Sequence, residues 1–206
     1  KIEDTIFQNL DFEIFKNEKI AILGPTGSGK STLVDILLGI LKFDVGEIFF
    51  DDKKTYYPYL IDKKISYVPQ TPTSFDDTIQ NNILFLENDK KIDFEQLEKA
   101  IKISCANSFI DRLDEGMQKM IGDKALKISG GQQQRLALAR AIYHDPDILV
   151  LDEATNAIDE ITEKEIYQNI IDEKGSKTIV IVSHNKSNLS FCDNKYEIKD
   201  GSIIKL

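Results

Sequence analysis

The 206-residue sequence lacks tryptophan, contains two cysteines and has no long uninterrupted apolar run. Cys105 and Cys192 stand far apart and form neither a disulfide framework nor metal-ligand spacing, which favours a reducing compartment. About 18 consecutive apolar residues are needed to cross a bilayer, and neither such a run nor a signal peptide is present. We therefore expect any work at a membrane to depend on an anchor outside this sequence.

Basic residues are also outnumbered, with 26 Lys and Arg against 35 Asp and Glu and a net charge of -9. A nucleic-acid binder usually carries a basic surface, so we expect no nucleic-acid partner. The length suits one domain with a substantial core. The sequence starts at Lys1 within a strand-like pattern and without a start methionine, which we interpret as a piece of a longer polypeptide.

One stretch, Gly24 to Thr32, fits the phosphate-loop pattern of Gly, four residues, Gly, Lys and Ser or Thr. Glycines let backbone N–H groups converge on phosphate oxygens, and the positive end of the following helix favours the same anion. Lys30 would reach the β- and γ-phosphates, and the Ser31 hydroxyl would bind magnesium. The predicted nucleotide-binding residues are Gly24, Pro25, Thr26, Gly27, Ser28, Gly29, Lys30, Ser31 and Thr32.

Polar side chains follow three further apolar strand patterns: Gln70, the pair Asp152 and Glu153, and His184. Asp152 can hold magnesium, usually through water, because hard cations prefer oxygen ligands. Glu153 can orient and polarise an attacking water. His184 could hydrogen-bond a γ-phosphate, and the Gln70 amide could contact both magnesium and the water. The alternative for each is a structural or solvated strand end, which the neighbouring phosphate loop disfavours.

A second anion site is predicted at Ser129, Gly130, Gly131 and Gln132. This stretch opens a helix from Gln132 to Tyr143, with Ser129 placed as the N-cap. Two glycines expose the backbone at the positive helix end, although an ordinary capped helix start would look similar. One nucleotide needs one phosphate-binding site. A second such site therefore suggests that it binds the nucleotide of another copy of the chain.

The remaining pattern alternates strands and helices, which predicts a mostly parallel sheet covered on both faces. Thr5 to Phe15 alternates like a half-buried strand, and a terminal hairpin is predicted around Asp200-Gly201. From Pro72 to Tyr143 the pattern is mainly helical, like an inserted lobe. The helix after the phosphate loop, from Ser31 to Leu41, is predicted to place one set of residues on one side: Leu33, Ile36, Leu37, Ile40 and Leu41.

Together these motifs resemble the ATP-binding cassette (ABC) family over nearly the whole chain and in family order. The matching segments are Gly24 to Thr32 (Walker A), Gln70 (Q-loop), Ser129 to Gln132 (signature), Ile148 to Glu153 (Walker B), Asn156 to Asp159 (D-loop) and His184 (H-switch). The stretches Tyr67 to Gln70, Phe75 to Ile79 and Asn81 to Ile83 look like exporter-type cassettes. Gly122-Asp123 resembles the cross-linking loop of exporters, with Asp where Glu is usual.

The resemblance implies an α/β P-loop NTPase (RecA-like) fold with a mostly parallel sheet core, an antiparallel β subdomain and an inserted helical subdomain. It implies a single domain over 1–206, with a catalytic core of 1–71 and 144–206 and a helical subdomain of 72–143. The implied ligands are ATP and Mg²⁺, with Gln70, Lys30, Glu153 and His184 catalytic, Ser31, Gln70 and Asp152 at the metal, and Asp159 at the nucleotide.

The implied partners are a second copy, bound head to tail, and the coupling helices of a transmembrane domain at the cytoplasmic face of the inner membrane. The implied function is ATP hydrolysis that powers export or flipping. A lipid-linked sugar or other amphipathic lipid is a guess at the cargo, which the cassette itself does not specify.

Four positions depart from the family pattern. The aromatic residue that stacks on adenine would fall before Lys1, which predicts weakened adenine binding in this chain. Ile128 replaces leucine, Gln133 replaces a basic residue, and Asn156 stands where serine is common. None of these departures removes a predicted catalytic group.

Two alternatives stay open. A soluble ABC ATPase could act as a clamp in DNA repair, chromosome maintenance or translation. A chromosome or repair clamp would require a long coiled coil within the cassette, and no sustained heptads occur between Gln70 and Ser129. A small-molecule kinase could use the phosphate loop but would not need Ser129 to Gln132. Residues encoded before Lys1 would discriminate, because several spans of about 20 apolar residues would indicate transport.

Overall fold

The computed structural model describes residues 5–55, 65–85, 91–122, 126–173, 177–184 and 188–206. Asp123 of the predicted cross-linking loop lies outside these residues. The chain divides into two compact units, the first made of residues 1–65, 146–153 and 177–206 and the second of 66–145 and 154–176. The core and subdomain boundaries implied by the resemblance stay a prediction.

The described strands are β1 (Lys19–Leu23), β2 (Ile48–Phe50), β3 (Lys53–Thr55), β4 (Ile65–Val68), β5 (Asp77–Thr78), β6 (Met120–Ile121), β7 (Ile148–Asp152), β8 (Thr178–Ser183), β9 (Asn194–Lys199) and β10 (Ser202–Lys205). The helices are α1 (Lys30–Leu37), α2 (Ile79–Leu84), α3 (Phe94–Ile103), α4 (Asn107–Ile110), α5 (Gly130–Tyr143) and α6 (Glu160–Asp172), with a 3-10 turn at Gly116–Gln118. None of these helices is both long and apolar enough to cross a membrane.

In the first unit, five strands lie in the order β10, β9, β1, β8 and β7. Strand β1 runs parallel to β8 and β9, and β7 runs parallel to β8, whereas β10 is antiparallel to β9. This confirms the mostly parallel sheet and the terminal hairpin. Strands β1, β7 and β8 are buried and rich in Ile, Val and Leu, as expected for strands covered on both faces.

The register of the sheet brings three strand ends to one edge. Leu23 at the end of β1 pairs with Ser183 at the end of β8, and Asp152 at the end of β7 pairs with Val182. Because these strands are parallel, the residues that follow them emerge at the same carboxyl edge, where ligands of α/β sheets bind. The same unit contains the antiparallel pair β2 and β3, joined by a turn with left-handed residues at Asp51 and Asp52.

Helix α1 ends earlier than the sequence predicts. The Ile40 N–H donates to the Asp35 carbonyl and the Gly39 N–H donates to that of Ile36, and Gly39 has a φ of 72°. This is the Schellman arrangement, in which a left-handed glycine satisfies the last carbonyl groups of a helix. Ile40 and Leu41 therefore leave the predicted helical face and are 64% and 44% exposed.

The strand predicted from Thr5 to Phe15 is wrong, because this fully described segment forms no strand. Asn9 has a φ of 52°, in the left-handed region, which interrupts an extended chain. The Gln8 N–H donates to the carbonyl of Gly201 in the turn between β9 and β10. The alternating pattern therefore reflects a half-buried irregular segment.

The second unit is mainly helical, with a core formed by residues of α2, α3, α4 and α5. Its fully buried members include Ile79, Ile83, Leu97 and Leu136. Helix α5 agrees with the predicted helix up to Tyr143 and begins at Gly130. The short antiparallel pair β5 and β6 adds a small extended element to the predicted helical lobe.

Candidate functional site

The phosphate loop joins β1 to α1 within the first unit. Gly27 has a φ of 81° and Gly29 has a φ of 98°, conformations that favour glycine. Gly29 also lies against Phe7, because a Cβ at Gly29 would fall 2.8 Å from the Cζ atom of Phe7. Glycine is therefore favoured at both positions by backbone conformation, and at Gly29 also by the close contact with Phe7.

The loop fits a phosphate group. Helix α1 has no side-chain hydrogen bond at its N-cap and no acidic residue in its first turn. The Ser28 hydroxyl is buried and has no hydrogen-bond partner among the described residues. A helix N-terminus of this kind, with an unpaired hydroxyl beside it, is suited to binding an anion.

Lys30 is buried inside the loop at 6% exposure. Its Nζ atom donates hydrogen bonds to the carbonyl oxygens of Gly24 and Pro25, each at 3.0 Å. The ammonium group is thus held by the loop backbone, at the N-terminus of α1, where a phosphate oxygen could compete for it.

Glu153 lies between Lys30 and His184. Its Oε1 atom is 3.8 Å from Lys30 Nζ and 3.6 Å from His184 Nδ1. Glu153 follows β7 directly, its N–H donates to the Val182 carbonyl, and its φ is 49°. A non-glycine residue in the left-handed region is strained, and such strain is concentrated at functional sites. The first unit therefore brings three of the predicted catalytic residues together.

The same unit contains oxygen donors that suit Mg²⁺. Asp152 lies at the end of β7 and is 3% exposed. The Ser31 hydroxyl lies in the first turn of α1. Among the described residues no cluster of three or more His, Cys, Asp or Glu could hold a metal by itself. A hydroxyl and a carboxylate fit a Mg²⁺ ion that shares its coordination sphere with phosphate oxygens and water.

The other predicted site residues belong to the second unit. Gln70 follows β4 and is exposed. Asp159 is the N-cap of α6, where it accepts a hydrogen bond from the Thr162 N–H at 3.0 Å. Hydrogen bonds from Thr162 hold the pKa of Asp159 below its ordinary value. The roles predicted for both residues at the nucleotide stay predictions.

The start of helix α5 has a complete capping box, which confirms Ser129 as the N-cap. The Gln132 N–H donates to Ser129 Oγ at 3.3 Å, and the Ser129 N–H donates to Gln132 Oε1 at 2.8 Å. The first-turn N–H groups of Gly130 and Gly131 have no acceptor within the helix. This arrangement leaves a bare, positive helix end that could receive an anion.

A cavity of about 200 Å³ lies in the second unit, beside the segment that follows Gln70. Its walls include Tyr67, Thr73, Phe85 and Arg140. The Arg140 guanidinium donates to the carbonyl oxygens of Asn82 at 2.8 Å and of Thr73 at 3.3 Å. It also lies 5.3 Å from the ring centre of Phe85, so the cavity has an aromatic and cationic wall.

Sequence reasoning missed Gln134, which is 3% exposed and accepts a hydrogen bond from the Ala157 N–H. A signal for its burial was available. Gln134 lies four residues before Leu138 and seven before Ala141, so all three share one helical face. Both of those residues are buried.

The sequence of the chain is similar to those of known proteins. The family model described as ABC transporter matches residues 7–156. The chain is 33% identical over 205 residues to an ATP-dependent lipid A-core flippase of Vibrio vulnificus, covering 98% of the chain and 35% of the flippase. It is 34% identical to multidrug resistance protein pgp-1 of Caenorhabditis elegans, covering 98% of the chain and 16% of that protein.

A solved structure of a bacterial Atm1-family ABC exporter with ATP bound is similar in fold as well. It matches with a TM-score of 0.88 and 30% identity, covering 97% of the chain and 35% of the exporter. The chain thus spans about a third of the length of the flippase and exporter, and less of pgp-1.

Proposed function

The chain belongs to the ABC transporter family. We propose that two copies of it associate and hydrolyse ATP, and that this hydrolysis powers export or flipping by an attached transmembrane domain. The chain is an exporter-type cassette domain that binds ATP.

The observation that carries the proposal is the position of Glu153 beside Lys30 and His184. From there Glu153 would orient and polarise the attacking water. Lys30 and His184 would stabilise the negative charge that develops on the γ-phosphoryl group. Positioning and electrostatics account for most of the catalysis of phosphoryl transfer, so these three side chains provide what the reaction requires.

Mg²⁺ would be held by Ser31 and Asp152, with Gln70 in addition. When bound, it would neutralise charge on the β- and γ-phosphate oxygens. The hydroxyl of Ser31 and the carboxylate of Asp152 are the hard oxygen donors that this ion prefers.

Each nucleotide is proposed to lie between the phosphate loop of one chain and Ser129 to Gln132 of a second copy. The exposed helix end at Gly130 and Gly131 supports this proposal, because a bare helix N-terminus favours an anion. A head-to-tail pair with two-fold symmetry creates two such shared sites. Asp159, the N-cap of α6, is proposed to contribute at the same interface.

The transmembrane domain is proposed to dock at the cavity of the second unit, through its coupling helices. The aromatic and cationic wall formed by Phe85 and Arg140 supports this, because such pockets anchor interface side chains. The chain would then work at the cytoplasmic face of the inner membrane. Flippase and exporter relatives about three times as long as the chain are consistent with an attached membrane domain.

A complementation experiment tests the shared site. Lys30→Ala disables the phosphate loop and leaves Ser129 to Gln132 intact. Gly130→Asp places a negative charge at the second anion site, with room for its Cβ, which would lie 3.4 Å from that of Ala157. The two variants are co-expressed as full-length polypeptides with different tags and purified through both tags.

In the mixed pair one of the two sites combines an intact phosphate loop with an intact second anion site. We expect ATP hydrolysis well above that of either variant paired with itself, approaching about half the wild-type rate if the sites act independently. Pairs of each single variant, purified through the same two tags, are the controls. A mixed pair no more active than these controls would contradict the shared site.

A further inference from the structure

The turn that follows Glu153 in sequence is hydrogen-bonded to the start of helix α5. Within this turn, Thr155 to Asp159, the Ala157 N–H donates to the Gln134 side-chain Oε1 at 2.9 Å. Gln134 is 3% exposed, whereas Ala157 is exposed. One buried amide therefore anchors a surface turn to the helix that begins with the second anion site.

Close packing supplements this hydrogen bond. A Cβ at Gly131 would lie 2.7 Å from the Ala157 carbonyl oxygen, so no larger residue fits without displacement. A Cβ at Gly130 would lie 3.4 Å from the Ala157 Cβ, which is an ordinary van der Waals distance. The backbone of the second anion site and the turn therefore pack directly against each other.

Helix α6 holds the other side of the turn. The Thr155 hydroxyl donates to Glu163 Oε1 at 2.6 Å and is 3.0 Å from the Tyr167 hydroxyl. The Ile158 N–H donates to the Thr155 carbonyl at 2.9 Å. The Thr155 end of the turn is thus bonded to α6, and Asp159 at its other end is the N-cap of α6. Gln134 bonds the middle of the turn to α5.

We propose that Gln134 is a positioning residue, which holds the turn in a fixed position against the helix start formed by Ser129 to Gln132. This inference rests on the proposed function. Glu153 serves the nucleotide of its own chain, and Ser129 to Gln132 serve that of the second copy. Since the turn begins two residues after Glu153, the bond from Gln134 to Ala157 links the geometry of the two shared sites.

The role is tested with two substitutions at Gln134. Gln134→Met has a similar length but cannot accept the Ala157 hydrogen bond. Gln134→Glu keeps the acceptor, and its charge lies near the positive end of α5, where a carboxylate is favoured. Gln168→Met is the matched control, since Gln168 is exposed on α6 and donates to Asp172 in the same unit.

The readouts are kcat and KM for ATP in the full-length protein, and amide hydrogen exchange of the peptide that contains Ala157. For Gln134→Met we expect about a tenfold fall in kcat with KM changed less than about twofold, because misplacement affects the reacting geometry more than binding. The Ala157 peptide should exchange faster, while peptides from α3 should stay protected. Gln134→Glu should recover both kcat and protection.

The proposal requires that kcat and the hydrogen-exchange protection of the Ala157 peptide fall together or stay normal together in every variant. A loss of protection with normal kcat, or a loss of kcat with full protection, would overturn it. It would also be overturned if Gln134→Met matched the Gln168→Met control in both readouts. An inactive wild-type protein would instead count against the proposed function, so the two failures are distinguishable.

Discussion

Glu153 and Lys30 form a charged pair at the carboxyl edge of the sheet, with Oε1 and Nζ 3.8 Å apart. Both side chains are nearly buried, at 11% and 6% exposure. Lys30 is also held by two carbonyl groups of its own loop. A γ-phosphate that enters between these groups would compete with Glu153 for the lysine and leave the carboxylate beside the water.

Replacement of Glu153 by Gln should separate ATP binding from hydrolysis. The amide keeps the shape and the contacts but cannot polarise water, so we expect turnover to fall by at least about 100-fold. ATP binding, measured by equilibrium dialysis, should persist, and the closed pair should accumulate. Glu160→Gln is the control, because Glu160 is exposed on α6. Unchanged steady-state hydrolysis in the Glu153 variant would remove this residue from the catalytic role.

The two glycines that open α5 should differ in their tolerance of alanine. Gly131→Ala would place a Cβ 2.7 Å from the Ala157 carbonyl oxygen, whereas Gly130→Ala would place one 3.4 Å from a side-chain carbon. Overpacking should destabilise the Gly131 variant by about 1–3 kcal/mol. The Gly130 variant should stay within about 0.5 kcal/mol of the wild type. Urea unfolding measures both, and equal stabilities would contradict the close contact.

Both cysteines should resist alkylation in the folded chain. Burial raises the pKa of Cys105 to about 11 and that of Cys192 to about 12. The thiolate is the reactive form, so at pH 8 the folded chain should react much more slowly than the same chain in urea. Mass spectrometry after iodoacetamide treatment should show no modification of the folded chain and two modifications of the unfolded one. Rapid labelling of either thiol before unfolding would refute this expectation.

Arg140 should matter for stability as well as for the cavity that it lines. Arg140→Lys loses the planar group that bonds the Asn82 and Thr73 carbonyls beside the ring of Phe85. We expect a loss of about 1–2 kcal/mol in the free energy of unfolding. Arg112→Lys, at an exposed position of the same unit, should be neutral. Equal unfolding midpoints for the two variants would show that the Arg140 contacts contribute little.

ATP hydrolysis by this chain alone should depend on its concentration. Each active site is proposed to need two copies, so the rate per chain should rise as the chains associate. Steady-state hydrolysis is measured over a dilution series, with the oligomeric state followed by light scattering. Full activity per chain in a demonstrably monomeric sample would contradict the shared site.

The sequence by itself determined the features that depend on near neighbours along the chain. The phosphate loop, the capped helix at Ser129 and the polar residues after buried strands could be recognised because caps, glycine turns and burial periodicity act over a few residues. In the mostly parallel sheet that the sequence predicts, strand ends share one carboxyl edge, which is where Glu153 and His184 follow β7 and β8. Local pattern failed for Thr5 to Phe15, where alternation alone does not supply a strand partner.

Only the tertiary structure decided which distant groups touch. The bond between Gln134 and Ala157 joins residues 23 positions apart, and no propensity or periodicity of either segment specifies it. The same is true of Phe7 against Gly29 and of Gly131 against the Ala157 carbonyl. Such contacts are set by how whole elements pack, and close packing allows few arrangements once the core is filled. Local chemistry therefore identified the reacting groups, and packing fixed the distances between them.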